Sequence, residues 1–182
     1  MSVILIGLGH EMHGDDEIGL EVVRQWSRIQ TGKESGEGIH TSLLKSPGIN
    51  LLSLIAGRDA AILVAAVHSG ARPGTIQRLN KAQLISPEGI GRKGGGGGAA
   101  ETLSLGYQLA PEELPDRLIL IGIEGAAFGL GEGLSPAVRA AIPEALDALD
   151  QSLAELTQPE QFPQGMIKQV QKALQGFRRL FN

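Results

Sequence analysis

VILIGLGHEMHGDDEIGLEVV, residues 3–23, is the stretch on which the fold turns. Its first six residues form an unbroken apolar run bounded by Gly9, the form of a strand buried on both faces rather than one. A polar loop over 9–17 follows. From there Ile18, Val22, Val23, Trp26 and Ile29 recur at helical spacing, which predicts an amphipathic helix over 18–29. Strand, loop and helix in that order make the first half of a βαβ unit, and such units build parallel sheets covered by helices.

The same alternation continues outward. Residues 31–38 read as an exposed turn and 39–44 as a second, shorter strand. Pro47-Gly48 breaks the chain, and a short helix over 49–55 closes at Gly57. Residues 60–67 are the most apolar segment and the third strand. Pro73-Gly74 turns the chain into 75–79, whose alternating pattern suits an edge strand. Residues 86–98 are too glycine-rich for regular structure. A helix over 99–109 and a last buried strand over 118–123 (LILIGI) follow. Ser135-Pro136 reads as a helix start, serine as the cap and proline in the first turn, with the helix reaching about residue 156 and Pro143 bending it. The expected fold is therefore α/β, three layers, with a twisted and mostly parallel sheet flanked by helices. The expected domain is 1–157, followed by an amphipathic basic tail over 158–182.

Composition narrows the function. The 182 residues are 42% hydrophobic and 20% charged, with a net charge of −4. A nucleic-acid partner would require a basic face to displace counterions, so none is expected. Cysteine is absent, which removes disulfides, thiolate metal sites and cysteine nucleophiles together. No apolar stretch approaches the roughly 20 residues of a membrane helix, and the chain reads as soluble and cytoplasmic. In the tail, Ile167, Val170, Leu174, Phe177 and Phe181 make one apolar stripe beside Lys168, Lys172, Arg178 and Arg179. That pattern fits a final helix packed on the domain, or one that docks a protein partner or a membrane surface.

Ligands of open α/β sheets bind beyond the carboxyl ends of the strands. Three loops leave strands there: 9–17, 67–70 and 125–133. The first is the most polar. Asp15 and Asp16 directly precede the helix, where carboxylates cap backbone N–H groups, and as adjacent residues they point apart, which argues against a carboxylate dyad. His10, His13 and Asp16 are spaced three apart, and His68 leaves the third strand; these four either converge on a metal or stand solvated in their loops. Ser69 and Ser135 have no evident base to activate them.

Several segments, in order, resemble the hydrogenase maturation proteases. VILIGLGHEMHGDDEIGLEVV is similar to the family's opening strand, GxGN turn and GDD or DE loop. SPGINLL (46–52) resembles its GTxGxELL turn, and ILVAAVHSGARPGTI (62–76) its VLVDAVxxGxxPGT stretch. GGGGGAAETLSLG (94–106) resembles HGxGxAExLxLG; LILIGIE (118–124) and GLSPAV (133–138) resemble the last strand and the helix start. The resemblance implies an endopeptidase that removes the C-terminal extension of the [NiFe]-hydrogenase large-subunit precursor. It also implies nickel held by an acidic residue after the first strand, an aspartate after the third, and a histidine before the later helix. Carried onto this chain, the acidic ligand is Asp16, but the aspartate falls on Ala65 and the histidine on Gly95. The asparagine of GxGN is His10, and a further family aspartate falls near Leu43. With Asp16 alone retained, the cofactor is nickel on a rebuilt site, with His10, His13 or His68 as substitute ligands, or there is none. The expectation is thus a maturation-protease-like protein. The alternatives are a catalytically inactive homologue that binds a hydrogenase subunit or another partner as an assembly chaperone, and a small-ligand module at the sheet edge.

Overall fold

Strands β1 (Val3–Leu8) and β3 (Ala60–Val67) are buried at every position, as continuous apolar runs in the middle of a two-sided sheet must be. The computed structural model describes residues 1–30, 38–45, 48–86 and 98–157. In it, β2 (Ile39–Leu44), β4 (Ile76–Asn80) and β5 (Arg117–Glu124) complete a five-stranded sheet in the order β2-β1-β3-β5-β4. The β2–β1, β1–β3 and β3–β5 pairs are parallel, and only the edge strand β4 runs antiparallel, against β5. This is the mostly parallel sheet expected from the sequence, with the alternating segment at its edge.

Side chains on successive strand positions point to opposite faces, and each face is capped by helices. Val3, Leu5, Ile62, Val64, Ile119 and Ile121 pack under α1 (Ile18–Gln30) and α6 (Ile142–Thr157). Ile4, Ile6, Leu63, Ala65, Leu118 and Leu120 face α2 (Ile49–Ile55), α3 (Lys81–Ile85) and α4 (Ala99–Leu109). Fully burying such a Leu or Ile side chain contributes about 1.5–3 kcal/mol, and the two layers hold most of the chain's large aliphatics. The indole Nε1 of Trp26 donates to Asp150 Oδ1 at 2.8 Å, joining α1 to α6 over one face.

The first turn of α1 lies unusually close to the sheet. A Cβ added at Gly19 would stand 2.2 Å from the Val64 carbonyl oxygen and 2.3 Å from that of Leu8, and one at Gly7 would stand 2.5 Å from the Gly19 carbonyl. Glycine is required at both sites because backbone meets backbone there, and this contact fixes where loop 9–17 sits above the sheet.

The helix expected to start at Ser135 is corrected in two respects. It is broken, not bent, into α5 (Pro136–Ala140) and α6. Pro143 has no N–H, and its ring would crowd the carbonyl four residues back; the Ala141 N–H instead closes a tight turn onto the Val138 carbonyl at 3.1 Å, and α6 starts afresh with Pro143 in its first turn. The Ser135 side chain makes no cap hydrogen bond, for a reason given below. Most of the expected turn over 31–38 (31–37), most of the glycine-rich segment (87–97, including Gly95) and the tail over 158–182 lie outside the described residues. Among the described residues no helix is long and apolar enough to cross a membrane.

Candidate functional site

The parallel strands all end at one rim, and two buried carboxylates organise its loops. Asp15, in the 3-10 turn Gly14–Glu17, has no exposed surface. Its Oδ2 accepts hydrogen bonds from the N–H groups of Ala126 (2.8 Å) and Ala127 (2.9 Å) and from the Ser135 hydroxyl (2.9 Å), while Oδ1 accepts from the Ser135 N–H (2.7 Å). The Ser135 hydroxyl is thus a donor to a carboxylate 120 residues earlier in the chain, and not the cap that its position before Pro136 suggested. Burial pushes the Asp15 carboxyl up, but the hydrogen bonds from Ala126, Ala127 and Ser135 together outweigh it and hold it below the usual aspartate value.

Glu124, the last residue of β5, plays the matching part on the neighbouring loop. It is 1% exposed and accepts from the Ser69 and Gly70 N–H groups, the Ser69 hydroxyl (2.7 Å) and Gln77 Nε2. Burial raises its pKa; the hydrogen bonds from Ser69 and Gly70 outweigh this and bring it below the ordinary glutamate value. Sequence reasoning missed both roles. The signal for Glu124 was a lone charge closing an otherwise apolar strand. For Asp15 there was none, because its partners lie 111 to 120 residues further along the chain.

Backbone bonds complete the assembly. Asp15 N–H donates to Ala127 O (2.6 Å), Gly14 N–H to Glu132 O (3.1 Å) and Gly131 N–H to Met12 O (2.7 Å). Loops 9–17 and 125–135 are therefore tied into one hydrogen-bonded unit. Met12 adopts φ +63, a left-handed conformation rare for a non-glycine residue, and its side chain stands exposed, as do those of Phe128 and Leu130.

The candidate ligands fall into two groups. His10 and Asp16 are brought together: Asp16 Oδ2 accepts from the His10 N–H at 3.0 Å and lies 2.7 Å from His10 Nδ1, with the imidazole 40% and the carboxylate 17% exposed. His13 sits edge-on to His10, ring centroids 5.6 Å apart, and its Nδ1 contacts the Glu11 carbonyl at 3.1 Å. Behind them Glu11 is held by Arg24 and Lys45. His68 stands elsewhere on the rim, edge-on to Phe128 at 6.0 Å. Ala65 is 2% exposed and belongs to the apolar layer beneath α4. Leu43 is a half-exposed residue of β2, Glu101 is exposed on α4, and Gly95 lies outside the described residues.

These residues do not fit a nickel ion. One oxygen of Asp16 is already committed to His10, Ala65 offers no donor, and no three His, Asp or Glu side chains among the described residues gather as a metal-holding group. Carboxylate and imidazole donors suit such an ion only when they converge. What the rim offers is a hydrogen-bonded imidazole–carboxylate pair, three exposed apolar side chains and loops fixed in place by buried charge.

No protein-family model and no curated protein matches this sequence. Solved structures do. The hydrogenase maturating endopeptidase HybD from E. coli superposes with a TM-score of 0.70 at 24% identity, covering 86% of this chain and 94% of that one. A solution structure of an endopeptidase from Escherichia coli gives the same TM-score and coverage at 25% identity. The [NiFe] hydrogenase maturation protease HybD from Thermococcus kodakarensis follows at 0.62 and 20% identity, covering 83% of this chain and 98% of that one. The expected α/β fold is therefore that of maturation endopeptidases, over nearly their whole length.

Proposed function

We propose that this chain, a structural relative of the hydrogenase maturation endopeptidases, acts in the maturation of a [NiFe] hydrogenase by receiving the C-terminal region of the large-subunit precursor at the rim of its sheet. The likeness of fold, spanning almost all of the relatives' chains, carries this reading. The rim is where open α/β sheets bind ligands, and its hydrogen-bonded double loop presents Met12, Phe128 and Leu130 on the same rim as the His10–Asp16 pair. Preformed loops receive an extended peptide without first having to be ordered. Endoproteolysis of the precursor is the activity that this fold suggests, and Asp16 is the site residue carried over to it. Because the described donors do not suit nickel, no step of the reaction is routed through a metal.

One observation favours a second reading, in which the chain holds the precursor without cutting it. The position that resemblance gives to an aspartate is a buried alanine. The deciding experiment incubates the purified chain with a nickel-loaded large-subunit precursor and follows the precursor's mass and co-elution. Loss of a short C-terminal peptide, abolished by Asp16→Ala, supports the peptidase. Co-elution at unchanged mass supports the holding protein. Neither cleavage nor co-elution counts against both.

A further inference from the structure

We infer that the rim of this chain is metal-independent, because the place of the family's aspartate ligand has been closed over by apolar packing and not merely vacated. This goes beyond the proposed function, since it concerns the chain's own residues whichever partner it serves. Ala65 lies on β3 opposite Gly122 of β5, near the carboxyl ends of both strands. Its methyl faces the first turn of α4, and Ala99 and Ala100 are buried in the same apolar cluster.

The wall around Ala65 is completed by Leu8, Leu84, Leu103 and Leu120, and the space left among these side chains is about 10 Å³. That is at the lower limit for a single water molecule, which would in any case need two or more polar partners; among the described residues every side chain around the space is apolar. A divalent ion brings ligands or water on several sides, at roughly 2 Å each. The described side chains leave no room for such a shell beside Ala65. A carboxylate placed there would be buried with no hydrogen-bond partner among them, a substitution that strongly destabilises a core.

The other end of the presumed site is altered in the same sense. Asp16 accepts two hydrogen bonds from His10, one from its backbone and one from its ring. An internal pair thus engages Asp16 Oδ2 within loop 9–17. The closed apolar layer around Ala65 carries the inference, and the pair in the loop agrees with it.

The test uses the untagged full-length chain with Ni²⁺ or Zn²⁺ alone. Metal uptake is measured by titration calorimetry and elemental analysis for the wild type and Asp16→Ala, and thermal melting for Ala65→Asp and Ala65→Ser with and without metal. The expected result is no uptake that Asp16→Ala abolishes. Ala65→Asp should melt about 5–10 °C lower, with no recovery on adding metal, and the smaller Ala65→Ser should shift less. The wild-type arm stands even if Ala65→Asp does not fold. Uptake of one ion per chain that is lost in Asp16→Ala, or recovery of the Ala65→Asp melting temperature by Ni²⁺, would overturn the inference.

Discussion

Asp15 and Asp16 are neighbours in sequence with separate tasks. Asp15 is an internal anchor with four hydrogen bonds and no exposed surface, whereas Asp16 reaches the rim and pairs with His10. Replacing Asp15 by asparagine would turn an amide toward backbone donors and leave at least one of them unpaired. Denaturant unfolding of Asp15→Asn should show a loss of about 2–4 kcal/mol, and a loss below 1 kcal/mol would contradict the anchor role. At Gly19 the constraint is steric: a methyl added there would meet two strand carbonyls at little more than 2 Å. Gly19→Ala should cost more than about 3 kcal/mol or prevent folding, and circular dichroism melts would decide it. The resemblance singled out Asp16 as the acidic ligand, while Asp15 read only as a helix cap. The partners of Asp15 lie 111 to 120 residues away, and local patterns carry no record of which loop closes on which.

Among the elements, the strands and helices were legible because their apolar periods are clean. β1 and β3 are continuous runs, and α1 carries its stripe at helical spacing. What was not legible is how the loops between them are held. Helix α5 stops where a proline removes a bond and the chain re-enters α6 after one residue, a break that spacing alone read as a bend. The rim loops depend on Asp15 and Glu124, both held below their ordinary pKa by hydrogen bonds that exceed the effect of burial. A carboxyl with a depressed folded-state pKa contributes stability that is fully present above its unfolded value and lost as pH falls through the folded one. Stability should therefore be flat with respect to these groups above about pH 5 and fall below about pH 4. Urea midpoints for Glu124→Gln should be lower than wild type at pH 7 yet fall less on acidification; parallel pH curves for the two proteins would argue against the assignment.

For the whole molecule, the order of layers and the placing of loops at a single rim follow from one rule. Parallel strands need crossovers, crossovers here are helices, and so the loops that leave the strands collect at one edge. The fold was visible from this alternation and the resemblance from ordered motifs such as GDD (14–16) and GLSP (133–136), while the burial of Ala65 in an apolar layer and the pairing of Asp16 with His10 emerged only from the folded chain. The central claim is that this rim receives the C-terminal region of a hydrogenase large-subunit precursor. The most direct test compares binding of the chain to that precursor and to the same subunit lacking its C-terminal extension, by calorimetry under matched conditions. The account predicts at least tenfold tighter binding to the precursor, reduced by Met12→Ser or Leu130→Ser. Equal affinity for the two forms, or no binding to either, would contradict it.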